Sequence, residues 1–195
     1  MSHYYTTDDT PHEYGETTFD FNDYTYRFKT DRGVFSKNNV DYGSALLIKT
    51  VVDTYQGDGS FIDMGAGYGP IGIVIGRELG MHPIMVEVNK DAADLADENA
   101  KRAGISVNVM SRHDFDESNI DTSLYVTNPP FRAGKDVVLE ILRDAYERLT
   151  LDGAIYMVVQ KKQGMASYKK YLQSTFGNVQ IVVKDKGYYI LKSIK

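Results

Sequence analysis

The sequence predicts an α/β fold in which a mostly parallel sheet of seven strands is covered by helices on both faces. Short apolar runs alternate with amphipathic helical segments, which is typical of parallel strands joined by crossover helices. The 195 residues are 42% hydrophobic and 25% charged, a composition that suits one globular domain with a small appendage. The last two apolar runs flank a short polar turn and predict an antiparallel C-terminal hairpin.

Residues 1–40 are predicted to form an N-terminal extension that packs on the main domain, residues 41–195. From Thr17 onward, aromatic residues alternate on both sides of Asn22-Asp23, which predicts a short β-hairpin. Asp41 has the side chain of a helix N-cap and precedes an amphipathic segment, so the main domain is expected to begin with a helix.

The remaining elements follow from apolar periodicity and from residues that begin or end helices. Pro70 suits a first helical turn, where its missing N–H costs nothing, and Gly104 suits a helix end. The segment between the third and fourth strands of the sheet is interpreted as a loop. The predicted strands of the sheet are 60–63, 83–88, 107–110, 124–127, 154–159, 179–183 and 188–191, and the later helices are 70–79, 89–102, 135–149 and 165–176.

Composition excludes several classes of protein. No apolar run approaches the ~20 residues of a membrane-spanning helix, and the first residues do not resemble a signal peptide, so we expect a cytoplasmic protein. The chain has no cysteine, which excludes disulfides and thiol catalysis. Its four histidines, at positions 3, 12, 82 and 113, show no metal-ligand spacing, so no metal is expected.

The formal net charge of -5 is unevenly distributed. Residues 1–60 carry 5 basic and 10 acidic side chains, and residues 61–127 carry 5 and 11. Residues 128–195 carry 12 basic and 6 acidic side chains, a local charge of +6. Such asymmetry can mark an anionic partner, and the alternative is a set of scattered, solvated lysines.

A glycine-rich loop follows the first strand of the predicted sheet. Gly65, Gly67 and Gly69 come after Asp63, and alternating glycines let the backbone turn sharply and approach a ligand closely. The next helix offers free N–H groups behind the loop. Glu87 ends the second predicted strand, where a carboxylate can accept both hydroxyls of a ribose. This unit predicts a nucleoside-cofactor site.

The loop is compatible with two classes of cofactor. Residues 67–72 match the G-x-G-x-x-G pattern of dinucleotide sites, with an acidic residue about 20 positions further on. Asp63 favours the other class, because a carboxylate suits a cationic sulfonium ligand with an amino group better than a pyrophosphate. Asp-x-Gly-x-Gly is the pattern of S-adenosylmethionine-binding methyltransferases.

The tetrapeptide Asn128-Pro129-Pro130-Phe131 follows the fourth strand, at the same edge of the sheet as the glycine loop. The Asn128 amide oxygen and the Pro129 carbonyl can each accept a hydrogen bond from a planar –NH2 group. Two acceptors draw the lone pair of the amine out of conjugation towards a methyl donor. Phe131 offers a ring for base stacking, worth ~1–3 kcal/mol. The alternative interpretation is a proline-rich turn that opens the next helix.

With these motifs the chain resembles class I S-adenosylmethionine-dependent methyltransferases. It is most similar to the small-domain family that includes guanine-N2 methyltransferases of small-subunit ribosomal RNA. The resemblance covers residues 3–193, and segments 30–36, 41–44, 160–164 and 186–189 are its more restricted signatures. It implies a Rossmann-like methyltransferase fold, S-adenosylmethionine as cofactor, and methyl transfer to an exocyclic amine. The implied partner is ribosomal RNA or the small ribosomal subunit.

The resemblance also implies roles for individual residues. Asn128, Pro129 and Phe131 would be catalytic. Position along the chain, rather than the resemblance, predicts a basic rim that holds RNA phosphates: Arg132 and Lys135 follow the tetrapeptide, and Lys161 and Lys162 follow the fifth strand. Two-domain relatives continue the tetrapeptide with a histidine and carry an additional N-terminal domain, and the resemblance extends to neither feature. The implied cofactor contacts are Phe35, Ser36, Asp63, Gly65, Ala66, Gly67, Glu87, Asn89, Asp114 and Asn128.

Other functions remain open from the sequence. A protein glutamine amide needs the same two acceptors as a nucleobase amine, so glutamine N-methylation is the main alternative. An adenine amine of DNA comes third. A non-catalytic S-adenosylmethionine-binding protein would keep the cofactor motifs without needing the tetrapeptide, and a nicotinamide dehydrogenase would have no use for it.

Overall fold

The structure is a computed structural model that describes residues 11–31 and 39–195. Its helices are α1 Tyr42–Thr54, α2 Pro70–Leu79, α3 Lys90–Ala103, α4 Arg112–Glu117, α5 Lys135–Arg148 and α6 Met165–Phe176. Short 3-10 helices lie at Phe131–Ala133 and Lys161–Gln163. Its strands are β1 Tyr14–Phe21, β2 Tyr24–Asp31, β3 Ser60–Met64, β4 His82–Val86, β5 Asn108–Met110, β6 Thr122–Thr127, β7 Leu149–Gln160, β8 Gln180–Asp185 and β9 Tyr188–Ile194.

Seven strands form the central sheet in the order β5-β4-β3-β6-β7-β9-β8. The five strands from β5 to β7 run parallel, and β9 pairs antiparallel with both β7 and β8. The predicted α/β fold with an antiparallel C-terminal hairpin is therefore confirmed. Strands β1 and β2 form a separate two-stranded sheet.

Successive residues of the strands pack against opposite faces of the sheet, which is the pattern of a sheet buried on both sides. Phe61 belongs to an apolar cluster with residues of α1, α2 and α3, whereas Ile62 belongs to a second cluster with residues of α4, α5 and α6. Both residues are fully buried. Three helices therefore cover each face. The sequence predicted helices on both faces, but α4 was not among them.

The N-terminal hairpin turns at Asn22 and Asp23, whose φ angles are 44° and 61°. Positive φ at both central residues is the requirement of a two-residue type I′ turn, and Asn and Asp tolerate it well. The pairing extends from Tyr14 to Asp31, so the hairpin begins three residues earlier than the aromatic alternation at Thr17 predicts. Those first three residues are exposed and carry no burial signal.

Asn99 of α3 fastens this hairpin to the main domain. Its amide oxygen accepts from the backbone N–H of Lys29 at 2.7 Å, and its amide nitrogen donates to the Lys29 carbonyl at 3.0 Å. The same nitrogen donates to the carbonyl of Tyr68, in the glycine loop, at 2.9 Å. Asn99 is fully buried, so one side chain joins the hairpin, α3 and the loop. The division of the chain at residue 40 stays a prediction.

Several element bounds differ from the predictions, and three of these differences have a clear physical reason or concern the site. Strand β4 ends at Val86, two residues before the predicted end at residue 88, so Glu87 lies just beyond the strand. Residues 112–117, expected as a loop, form α4, which buries only Phe115 and is too short to show apolar periodicity. Strand β7 begins at Leu149, directly after α5, and residues 150–152 of the strand are exposed, which hid its start.

Within residues 11–31 and 39–195, no helix is long and apolar enough to cross a bilayer. The same residues contain no group of three or more histidine or acidic side chains arranged to hold a metal ion.

Removal of the Asn99 side chain is expected to destabilise the protein. The variant Asn99→Ala leaves partly buried backbone groups of Lys29 and a buried carbonyl of Tyr68 without this partner, so the free energy of unfolding should fall by roughly 2–4 kcal/mol. Urea unfolding measures this change. The exposed Asn119 supplies the control, because Asn119→Ala removes an amide without such bonds. Equal stability of the two variants would contradict the role given to Asn99.

Candidate active site

The glycine loop leaves β3 in the conformation that its composition predicts. Gly65, Gly67 and Gly69 have φ angles of 77°, 60° and 100°, a region that favours glycine. The N–H groups of Gly65 and Ala66 donate to the carbonyl of Val86 at 2.9 and 3.1 Å, which holds the loop against the end of β4. A Cβ added to Gly65 would meet no atom within 4 Å, so the space over this residue is open to a ligand.

Asp63 is fully buried behind this loop. Its Oδ2 accepts from the N–H of Gly72 at 2.9 Å, whereas its Oδ1 is buried without a hydrogen-bond partner among the residues that the structure describes. Burial raises the pKa of the Asp63 carboxyl to about 7; the Gly72 hydrogen bond opposes this shift and the charge of Glu87 adds to it. A buried acceptor without a partner is costly, and this one is suited to a cationic ligand.

Glu87 is held by the backbone on both of its oxygens. Its Oε2 accepts from the N–H of Gly67 at 2.8 Å, and its Oε1 accepts from the N–H of Asn89 at 2.9 Å. Asn89 is the N-cap of α3, and its side chain accepts from Ala92 N–H. Each carboxylate oxygen has more than one lone pair, so Glu87 retains acceptor capacity for ligand hydroxyls. The next residue, Val88, is 70% exposed, and the sequence did not indicate it as a site residue.

The other predicted cofactor contacts have different outcomes. Asp114 lies in the first turn of α4 rather than in a loop, where it is exposed and its carboxylate accepts from Ser111 Oγ at 2.7 Å. Ala66 is buried within the glycine loop. Phe35 and Ser36 lie outside the described residues.

The tetrapeptide lies beside the glycine loop because β3 and β6 are neighbours in the sheet. Met64 and Thr127 are paired, and Thr127 Oγ1 donates to the Met64 carbonyl at 2.9 Å. Asn128 and Gly65 follow these paired residues, so both motifs leave the sheet at the same point. This arrangement is the one that the order of motifs along the chain predicts.

Within the tetrapeptide, the Pro129 carbonyl accepts from the N–H of Phe131 at 2.9 Å. A carbonyl oxygen has two lone pairs, so it can accept a further hydrogen bond from a ligand. Phe131 is half-buried, and its ring lies 5.8 Å from that of Tyr168. Asn128 Nδ2 donates to Ser44 Oγ at 3.0 Å, a contact with α1 that the sequence did not indicate.

A pocket of ≈ 330 Å³ opens beside the tetrapeptide. The sequence predicted some of its lining, but Asp41 was expected only as a helix cap, and Gln160, Gln163 and Tyr188 were not expected as lining. These residues come from the N-cap of α1, the end of β7, the short helix after β7 and the start of β9, which converge only in the folded chain. The lining residues are Asp41, Asn128, Pro129, Pro130, Phe131, Arg132, Val158, Val159, Gln160, Gln163 and Tyr188.

The four residues of the expected basic rim are all exposed, but only Arg132 lines the pocket. Lys135 begins α5, just after the tetrapeptide. Lys161 and Lys162 lie in the short helix after β7, the strand next to β6. The N–H of Lys161 donates to the carbonyl of Gly187 at 3.0 Å, which holds this helix to the β8–β9 turn.

The sheet order and the two motifs at its carboxyl edge define a Rossmann-like methyltransferase. A model of the methyltransferase small domain matches residues 25–192, and the chain belongs to that family. The predicted class, an S-adenosylmethionine-dependent methyltransferase with S-adenosylmethionine as its cofactor, is thereby confirmed.

Similar proteins agree with this assignment. The Bacillus subtilis protein YbxB, described as uncharacterized, is 41% identical over 87% of this chain and 86% of its own length. The Ribosomal RNA small subunit methyltransferase C of Colwellia psychrerythraea is 28% identical over 83% of this chain and 45% of that protein. The chain thus spans about half the length of these ribosomal RNA methyltransferases.

Among solved structures, the T. thermophilus 16S rRNA N2 G1207 methyltransferase, in complex with AdoMet and guanosine, has a TM-score of 0.84 and 24% identity. The likeness covers 95% of this chain and 51% of that one. It confirms the fold.

The buried carboxyl of Asp63 should make stability depend on pH. Its pKa is about 7 in the folded protein against the ordinary 3.8, so its neutral form is favoured by folding. This contribution is complete below pH 3.8 and is lost as the pH rises through 7. Relative to Asp63→Asn, which cannot ionise, the cofactor-free wild type should lose a few kcal/mol between pH 4 and 8, since one pKa unit corresponds to ~1.4 kcal/mol.

Urea unfolding of both proteins across this pH range measures the difference. Asp58→Asn is the matched control, because Asp58 is exposed. A stability difference between wild type and Asp63→Asn that stays constant with pH would show that Asp63 does not titrate in this way.

Proposed function

We propose that the chain transfers a methyl group from S-adenosylmethionine to N2 of a guanine in small-subunit ribosomal RNA. The observation that carries this proposal is the pair of acceptors, Asn128 and Pro129, which line a pocket. They follow β6, the strand paired with β3, from which the glycine loop leaves the sheet. Two hydrogen-bond acceptors suit an amine, which donates two N–H bonds and must later lose a proton. The adjacent ring of Phe131 suits a planar base.

The described residues fit the cofactor. The partnerless Asp63 Oδ1 suits the ammonium group of the methionine part, and the spare lone pairs of Glu87 suit the two ribose hydroxyls. The open space at Gly65 lets a ligand approach the backbone. When bound, S-adenosylmethionine supplies an electrophilic methyl group on a cationic sulfonium. Further proposed contacts are Phe35, Ser36, Ala66, Gly67, Asn89 and Asp114. Asn128, which the resemblance also implied as a cofactor contact, is instead assigned to the substrate amine.

The tetrapeptide binds and orients the substrate amine. Asn128 Oδ1 accepts from one N–H of the amine, and the Pro129 carbonyl accepts from the other. These two bonds favour a pyramidal nitrogen, whose lone pair is drawn out of conjugation with the base and can attack the methyl group. Positive charge develops on the nitrogen during transfer, and both acceptors stabilise it. The methylated nitrogen is acidic, so its proton passes to water without a strong protein base.

The relatives support a ribosomal RNA substrate. Several matching proteins are named Ribosomal RNA small subunit methyltransferase C, and the T. thermophilus structure holds guanosine. An amine inside a duplex cannot reach the methyl group, so the base must lie in a loop or swing out of its stack. Phe131 would then replace part of the lost stacking.

The chain is acidic on average, but a local cluster of positive charge near the pocket favours an RNA partner. The rim of Arg132, Lys135, Lys161 and Lys162 is exposed around the same edge of the sheet. The net charge of -5 opposes RNA at long range, so binding should depend on the rim and weaken steeply with salt.

The substrate is tested by labelling. The protein is incubated with methyl-labelled S-adenosylmethionine and, separately, with small ribosomal subunits, naked ribosomal RNA, DNA or a protein extract, and the labelled product is identified. Labelled N2-methylguanine in ribosomal RNA supports the proposal. A labelled glutamine and no labelled nucleotide would establish a protein substrate, and no label in any sample would favour a binding protein without turnover.

Truncation of Asn128 should separate catalysis from cofactor binding. Asn128→Ala removes an acceptor that acts mainly on charge developing in the transition state, so turnover should fall ~100-fold or more. Affinity for S-adenosylmethionine, measured by calorimetry, should change little, whereas Glu87→Ala should weaken it by ~1.5–3 kcal/mol. Wild-type turnover by Asn128→Ala would refute this mechanism for any substrate.

Loss of both rim lysines should weaken RNA binding and its salt dependence. Lys161→Ala with Lys162→Ala removes up to two phosphate contacts, so the slope of log affinity against log salt should flatten by about 1–2. Binding of free cofactor should be unchanged.

The control for the lysine variant is Lys49→Ala with Lys101→Ala, which changes the net charge equally on α1 and α3. Filter binding to ribosomal RNA over a salt series compares the two. The rim assignment is wrong if both double variants show the same slope.

A further inference from the structure

The side chain of Asn128 contacts two residues at the start of α1. Asn128 Nδ2 lies 3.0 Å from Ser44 Oγ and 3.5 Å from Asp41 Oδ2. Ser44 Oγ in turn lies 2.7 Å from Asp41 Oδ1. Ser44 is buried, Asp41 lines the pocket, and Ser44 and Asn128 are 84 positions apart in the chain.

The chemistry of these contacts determines the direction of each hydrogen bond. An ionised carboxylate only accepts, so the single Ser44 hydroxyl proton is donated to Asp41. Ser44 Oγ can then act only as an acceptor towards Asn128. The amide atom that faces it must therefore be the NH2 group, since an amide oxygen there would face lone pairs alone. The Asn128 amide oxygen is left for the other side.

This direction matters because an amide has two ends of similar size and opposite polarity. With its oxygen towards the pocket, Asn128 accepts from a substrate amine. Rotated by 180°, it would present an NH2 group to that amine and repel it. The Ser44 hydroxyl donates to the charged Asp41 carboxylate while it accepts from Asn128, and linked hydrogen bonds of this kind polarise one another. This polarisation strengthens the Asn128 amide oxygen as an acceptor.

We propose that Asp41 and Ser44 are positioning residues that hold the Asn128 amide with its oxygen towards the substrate amine. The proposal rests on the function proposed above for Asn128. Capping of α1 does not account for the arrangement, because the cap uses only the bond from Ser44 N–H to Asp41 Oδ2 at 3.0 Å. The bonds of the Ser44 hydroxyl to Asp41 and Asn128 are additional to the cap.

Two substitutions separate positioning from folding. Asp41→Asn keeps the helix cap, since Asn and Asp cap helices equally well. It introduces a donor next to Ser44, so the hydroxyl is free to donate to Asn128 and the amide can rotate. Ser44→Ala removes the link itself. Thr50→Ala is the matched control, because it removes a buried hydroxyl from the same helix, bonded at 2.7 Å to the Leu46 carbonyl.

The kinetic test uses small ribosomal subunits with saturating S-adenosylmethionine. Asp41→Asn and Ser44→Ala should each lower kcat about tenfold, the rate equivalent of one ordinary hydrogen bond. KM for the subunits and the Kd of S-adenosylmethionine should stay within about twofold, and Thr50→Ala should keep the wild-type kcat. A raised KM with unchanged kcat in Asp41→Asn would place Asp41 on the substrate and overturn the proposal.

A second measurement does not depend on the substrate. The side-chain NH2 signals of Asn128, identified in ¹⁵N NMR spectra by their absence from Asn128→Ala, should exchange slowly with water in the wild type. In Ser44→Ala they should exchange about tenfold faster, because the acceptor is gone. Unchanged exchange in Ser44→Ala refutes the positioning role. Slowed exchange in a wild-type protein that methylates no RNA refutes the proposed substrate instead.

Discussion

The parallel pairing of β3 with β6 is the constraint on which the site depends. Met64 and Thr127 are the last residues of these two strands, they are paired, and the Thr127 hydroxyl donates to the Met64 carbonyl. The glycine loop and the tetrapeptide leave the sheet from these two points. A methyl donor on one loop and an amine on the other would meet at neighbouring positions, so the sheet supplies the proximity that a direct transfer requires.

Burial of polar groups around the loop combines stabilising and costly contacts. Asn99 uses both ends of its amide and joins the hairpin, α3 and the loop, so its burial is compensated. Asp63 is equally buried but has one oxygen without a partner in the described part of the chain, and its pKa is raised to about 7. An uncompensated acceptor behind the glycine loop is costly to the free protein and available to a cationic ligand.

The pocket contains different kinds of binding group on its different walls. The tetrapeptide contributes acceptors and an aromatic ring, Arg132 contributes a cation, and Gln160, Gln163 and Tyr188 contribute neutral polar groups. Gln160 Nε2 donates to Tyr188 Oη at 2.7 Å, and Gln163 bonds to the Gln160 backbone, so this wall is ordered by its own contacts. Such a wall suits a polar, planar ligand better than an apolar one.

The sequence by itself predicted the sheet class, the glycine loop, the tetrapeptide and most helix ends, because these features depend on residue type and spacing. Positive φ at Gly65 and capping by Asp41 depend only on neighbouring residues, so spacing and residue type predict them. The raised pKa of Asp63, the anchoring by Asn99 and the contact of Ser44 with Asn128 were decided by the tertiary structure. Burial and contacts between residues up to 84 positions apart exist only after the strands have paired and the helices have packed, and no short stretch of sequence encodes them.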